Sequence, residues 1–225
     1  MTMINLEKVS KIYRTRQKEI KALYDFNLLI TDGEFVVVRG PSGSGKTTLL
    51  LTIGGMLKPT EGKIIADGRD VYAMIEKERA LFRARNIGFV FQMYYLIPYL
   101  NVIENVLLSS DMGAKRFGKS EARDILKKLH LTDREYHKPS ELSAGEKQRT
   151  AIARALLSQP KIILADEPTG NLDPENANEI VQYLVEFHRS GGTIILVTHG
   201  TSADRYADRI IHLREGRIEE QLKDL

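Results

Sequence analysis

The chain has 225 residues, 42% of them hydrophobic, enough to bury a core in one domain or in a domain with a subdomain. A net charge of +3, from 33 basic and 30 acidic residues, is too balanced to indicate a nucleic-acid protein, and with no cysteine there are no disulfides and no thiolate chemistry. The five histidines lack paired-ligand spacing, which argues against structural zinc, and no apolar run approaches the length of a bilayer, so a soluble cytosolic chain without a signal peptide is expected.

In chain order, β-rich runs come first: Ile4–Val9, Ile20–Ile30, Glu34–Arg39 and Lys63–Ala66, separated by turn signals such as Thr31-Asp32-Gly33 and Asp67-Gly68. They predict an N-terminal antiparallel sheet joined to something else. Ile87–Phe91, Lys161–Ala165 and Thr193–Val197 are nearly continuous apolar runs with helical patterns between them, the mark of parallel strands buried on both faces. Residues 93–159 carry no β signal but several helical patterns, including Ser120–Leu129 and Glu146–Leu157. The expected organisation is therefore an α/β core with antiparallel β subdomain over 1–92 and 160–225, and a helical subdomain inserted over 93–159. Within it, Gly113–Pro139 holds eight Lys/Arg against four Asp/Glu, read as a solvated face rather than a lipid-binding one.

Gly40-Pro41-Ser42-Gly43-Ser44-Gly45-Lys46-Thr47 matches GxxxxGK[ST], with an apolar strand before it and a helix-compatible Thr48–Ile53 after it. Such a loop wraps backbone N–H groups around phosphates, Lys46 adds positive charge, and the Thr47 hydroxyl suits Mg2+. Asp166, closing the apolar run Ile162–Ala165, stands where a Mg2+-associated carboxylate belongs, and Glu167 could polarise a water towards a γ-phosphate. Hydrolysis fits that pair better than transfer to a second substrate. In Glu141–Arg149, ELSAGEKQR, Ser143 and Glu146 have capping-box spacing, and the same helix end could instead offer its N–H groups to a phosphate.

Gly40–Thr47, then Leu142–Glu146 (LSAGE), then Ile162–Glu167, in that order, resemble the nucleotide-binding subunits of ABC transporters along essentially the whole chain. The resemblance implies a P-loop ATPase that binds Mg-ATP through Gly40–Thr47 and Thr48, with Asp166 and Thr47 serving the metal and Glu167 activating water. It implies that Gln92 is the Q-loop glutamine sensing metal and water, and that His199 contacts the γ-phosphate. Asp173 corresponds to the D-loop aspartate, Tyr13 to the aromatic that stacks on adenine, and Ser143 and Gly145 to signature residues serving the ATP of a second subunit in a head-to-tail homodimer. Two departures stand out: Ala144 and Glu146 replace a glycine and the glutamine of the commonest signature, LSGGQ, and Gly200 stands where aspartate is frequent. Pro168–Asp173 (PTGNLD) and the opening Val9–Leu23 are similar to lipoprotein-releasing and macrolide- or peptide-exporting ATPases, which work with separately encoded membrane permease subunits on the inner face of the cell membrane. Met93–Leu100, aromatic and apolar, would be the docking groove for such a partner or else packing between subdomains. An ABC ATPase acting on nucleic acid or ribosomes, or a small-molecule kinase, are the alternatives; the first usually has coiled-coil, zinc or tandem modules, the second leaves the signature unexplained.

Overall fold

The computed structural model describes residues 1–14, 18–110 and 117–223. Residues 15–17 of the opening pattern and 113–116 of the basic stretch lie outside the described residues. Among those described, the strands are β1 (Thr2–Arg14), β2 (Glu19–Thr31), β3 (Phe35–Arg39), β4 (Glu61–Ala66), β5 (Arg69–Asp70), β6 (Ile87–Phe91), β7 (Ile162–Asp166), β8 (Thr193–Val197), β9 (Arg209–Arg214) and β10 (Arg217–Lys223). The helices are α1 (Lys46–Ile53), α2 (Glu76–Asn86), α3 (Val102–Leu107), α4 (Lys119–Lys128), α5 (Ala144–Leu157) and α6 (Pro174–Arg189).

The strands form two sheets. One is antiparallel in the order β2-β1-β4-β5, and the other runs β10-β9-β3-β8-β7-β6, parallel throughout except for the β9–β10 hairpin at its edge. The early run Glu34–Arg39 therefore becomes β3 of the second sheet rather than joining its neighbours. Its residues explain this, since Phe35, Val36, Val37 and Val38 are all fully buried and alternate between two cores. Phe35 and Val37 share one core with Ile194, Leu196 and Ile163, packed against the helices. Val36 and Val38 share the other with Ile195, Val197 and Leu164, packed against α1 and the antiparallel sheet. A strand covered on both faces tolerates no polar residue along its length, so polar chemistry appears only where strands end.

Between β6 and β7 the described residues contain helices and no strand. α3, α4 and α5 pack through Val102, Val106, Ala122, Leu126 and Ile152 into the first of the two cores. The C-terminal hairpin β9–β10 carries no sequence prediction above, yet β9 pairs in parallel with β3 and its turn contacts two other elements: Tyr24 N–H donates to the Gly216 carbonyl at 2.9 Å, and Gly216 N–H to the Ser44 carbonyl at 3.0 Å.

Candidate active site

β3 ends at Arg39 and the chain turns through residues 40–45 into α1. Gly45 caps that helix with φ at 107°, and a side chain there would collide with the Ala22 carbonyl of β2, so the loop closes against the sheet only with glycine. Lys46 is 8% exposed, and its Nζ donates to the carbonyls of Gly40 at 2.7 Å and Pro41 at 3.0 Å. Burial lowers its pKa, while Glu167 and Asp166 act to keep it charged. Burial raises the Asp166 carboxyl above its ordinary value, against the pull of the Thr47 hydroxyl, which hydrogen-bonds it, and of Lys46.

These groups line a cleft of about 320 Å³. Ser42, Gly43 and residues 45–48 form one wall, Ala22 of β2 another, and Gln92, Asp166, Glu167 and His199 enter from strand ends. The first turn of α1 opens into it, so its free N–H groups and positive dipole end favour an anion there. Gly40, Pro41 and Ser44 support the loop from behind: two give carbonyls to Lys46, and Ser44 is held by Gly216.

Glu167 follows β7 in a left-handed conformation, φ 45°, with its N–H donating to the Val197 carbonyl at 2.9 Å. This turn brings its carboxylate across to the end of β8. There His199 N–H donates to Oε2 at 3.2 Å, while His199 Nε2 lies 3.2 Å from Oε1. Oε1 is buried without a hydrogen bond of good geometry, so the second approach is a close contact only and leaves an unused acceptor at the cleft. Gln92 Nε2 donates to Asn171 Oδ1 at 3.2 Å, and Asn171 Nδ2 to the Gln92 carbonyl at 3.3 Å, tying the end of β6 to the segment before Asp173.

Ser143 and Gly145 lie outside the lining of that cleft. Ser143 caps α5: its Oγ accepts from Glu146 N–H at 3.2 Å, and Glu146 Oε2 accepts from Ser143 N–H at 2.7 Å. Gly145 faces α6 so closely that a Cβ would strike Asn176 Oδ1. Asp173 caps α6, its Oδ1 accepting from Asn176 N–H at 3.0 Å and Glu175 N–H at 3.1 Å, and its Oδ2 from Asn176 Nδ2 at 2.6 Å. Arg149 completes this seam, its Nη1 donating to Asn176 Oδ1 at 3.2 Å and Glu179 Oε2 at 2.8 Å. Tyr13 is 40% exposed on β1 with the Lys11 ammonium 5.3 Å above its ring, also outside the cleft lining.

Two arginines were missed. Arg154 of α5 donates to the carbonyls of Tyr94 at 2.7 Å and Tyr95 at 2.6 Å, residues held at positive φ just after Gln92. Beside it, Phe89, Phe91 and Tyr95 line a second groove of about 360 Å³ between β6 and α5. Arg134, on a 3-10 turn before α5, donates from Nε to Glu146 Oε1 at 2.7 Å. Neither partnership has a local signal, because each joins side chains or carbonyls distant in sequence.

The family model described as ABC transporter matches residues 23–170, which include the phosphate loop, the capped start of α5 and β7 with Asp166 and Glu167. This chain belongs to the ABC transporter family. An uncharacterised ABC transporter ATP-binding protein of Methanocaldococcus jannaschii is 44% identical over 220 residues, covering 97% of this chain and 98% of that one. The macrolide export ATP-binding/permease protein MacB of Chlorobaculum tepidum is 42% identical over 224 residues, 98% of this chain but 34% of its own length. The dimeric ATP-binding cassette MJ0796 in a post-hydrolysis state with ADP and Pi superposes with a TM-score of 0.93 at 40% identity, covering 98% of each chain. Within the ABC transporter family this chain is an ATP-hydrolysing subunit, and none of its described helices is long and apolar enough to cross a membrane.

Burial works against charge on Glu146 of this ABC subunit, but Arg134 and the Ser143 N–H outweigh it and hold the carboxyl at about 2. A carboxylate depressed in the folded state stabilises the fold above its ordinary pKa, and that stability is lost as pH falls through the folded value. The stability advantage of the parent over Glu146→Gln should therefore be constant above about 4.5 and shrink as pH falls from there towards about 2, as measured by urea unfolding at a series of pH values.

Proposed function

We propose that this subunit hydrolyses Mg-ATP at sites shared between two copies arranged head to tail, and that hydrolysis drives separately encoded permease subunits at the cytoplasmic face of a membrane. The observation that carries this reading is the division of the predicted residues. Lys46, Thr47, Gln92, Asp166, Glu167 and His199 meet in one cleft, while Ser143 lies outside its lining, exposed at the end of α5. A nucleotide seated in the cleft then needs a second chain to reach Ser143 and Gly145. The MJ0796 cassette, which is dimeric with ADP and Pi, supports that arrangement.

In this reading the N–H groups of the loop and of α1 take the phosphates, with Ser42–Thr48 forming the cradle and Lys46 supplying charge. Thr47 and Asp166, hydrogen-bonded to one another, are hard oxygen donors of the kind Mg2+ takes alongside substrate phosphates. When bound, Mg2+ neutralises and polarises phosphate oxygens. Glu167 accepts the proton of the attacking water at its unused Oε1, held in place by the His199 N–H. His199 also lies 3.5 Å from Lys46 Nζ, between the base and the charge that faces the phosphates. Gln92, bonded to Asn171, would carry occupancy of the cleft to Asp173 and the α5–α6 seam. Tyr13, with an exposed ring beside the loop's β2 neighbour, remains the candidate for adenine stacking.

The second groove is the proposed contact with the permease. Tyr95 is 62% exposed there, its ring edge-on to Phe91 at 5.1 Å, and Arg154 grips its carbonyl. A groove of this kind, part aromatic and floored by β6, the strand that ends just before Gln92, suits an apolar cytoplasmic helix of a membrane subunit. The 34% coverage of MacB, a protein named as both ATP-binding and permease, supports a division of labour in which this chain supplies the first part.

Glu167→Gln should bind ATP as the parent does, lose ~10²–10⁴ in phosphate release, and accumulate an ATP-dependent dimer in light scattering. Parent-like turnover in that variant would overturn the assignment of the base. Tyr95→Glu should bind nucleotide normally but recover less permease subunit on purification from membranes; undiminished recovery would remove the groove from the permease contact.

A further inference from the structure

Glu146 occupies an awkward place for a carboxylate. It lies in the first turn of α5, next to Ser143 and Ala144, both exposed. If that end of the helix closes on a partner's nucleotide, an anion at this point repels the phosphates it is meant to receive. The structure answers both of its oxygens. Oε2 accepts from Ser143 N–H at 2.7 Å, and Oε1 accepts from Arg134 Nε at 2.7 Å.

Arg134 is delivered by the turn Thr132–Arg134, which follows α4 and whose Arg134 N–H donates to the Leu131 carbonyl at 3.0 Å. The Arg134 side chain is 42% exposed against 16% for Glu146, so the guanidinium reaches in from the surface to a carboxylate that lies mostly out of water. Two of the neighbouring charges do not replace it. Asp133 is a further acid beside Arg134, and Arg149 is engaged by Glu179 and Asn176. Besides any share it has in the fold, the pair cancels an anion at a helix end where it would otherwise oppose phosphate.

We propose that Arg134 is a positioning residue for the reaction: it neutralises Glu146 and holds it against the Ser143 N–H, so that the start of α5 can close on the nucleotide carried by a second copy of this chain. The inference rests on the shared-site reading above. Arg134 touches neither nucleotide nor water in this account. It acts through Glu146, and the pair stands in for a neutral residue.

The test uses the full chain carrying Glu167→Gln, with the ATP concentration for half-maximal dimer formation read by light scattering. Arg134→Gln should raise that concentration by on the order of tenfold at low salt, the scale of one unpaired charge near the phosphates, and by less at high salt. Adding Glu146→Gln should restore it, and Arg134→Lys should keep most of the parent's affinity. Binding of a fluorescent ATP analogue to dilute monomer should be the same in every variant, since the cleft of each chain is intact. An Arg134→Gln protein that dimerises like its parent, one that Glu146→Gln does not rescue, or one with weakened monomer binding would each overturn the role of Arg134. A Glu167→Gln parent that forms no ATP-dependent dimer would instead bring down the shared-site reading, and this inference with it.

Discussion

Three parallel strands that end at the same level are the constraint on which the site depends. Val38 of β3 lies opposite Val197 of β8, and Val197 lies opposite Asp166 of β7. The phosphate loop, Glu167 and His199 therefore leave the sheet along one edge, within reach of each other, although the sequence separates Lys46 from His199 by 153 positions. Because both faces of these strands are buried, a one-residue slip would move every side chain into the wrong core, and so the packing of Val36, Ile195 and Leu164 fixes the position of the chemistry.

At that edge the protein keeps an ammonium and two partly buried carboxylates close together. Burial works against the charged form of both Lys46 and Asp166, and their mutual attraction, with the Thr47 hydroxyl, opposes it. Groups balanced in this way are held ready for a ligand of high negative charge and its cation, at the mouth of a helix whose free N–H groups point the same way. The site is also wired outward. Gln92 is bonded to Asn171, Asp173 caps α6, and Asn176 joins that cap to Arg149 and to the close approach of Gly145. Arg154 runs from the same helix, α5, to the backbone just beyond Gln92.

Much of this was legible in the residues because it is local. The apolar runs Ile87–Phe91 and Thr193–Val197 are β6 and β8 with the same bounds, and Ser143 with Glu146 forms the capping box that their spacing implies. The glycines of the phosphate loop announce its shape. What could not be read is what folding brings together. β9 and β10 are mixed in polarity, and β9 is held by pairing with β3 and β10 by pairing with β9, so nothing in Arg209–Lys223 itself declares a hairpin that supports Ser44. β3 looked like one more strand of the opening series until its full burial on both faces placed it in the other sheet. The grip of Arg154 on two carbonyls and the pairing of Arg134 with Glu146 are invisible in sequence, since long side chains on a helix and a turn read as solvated charge.

The central claim is that each catalytic site takes its phosphate loop from one chain and its capped α5 end from another, and mixing two inactive proteins tests it most directly. Lys46→Ala removes the loop's charge and Ser143→Arg obstructs the helix end; each alone disables both sites of a homodimer. In a head-to-tail mixed dimer one site keeps an intact loop and an intact α5 end, so phosphate release absent from either variant should appear when the two are combined. If the loop and the helix end instead serve the same nucleotide within one chain, no combination contains an intact site, and a mixture as inactive as its components would contradict the account.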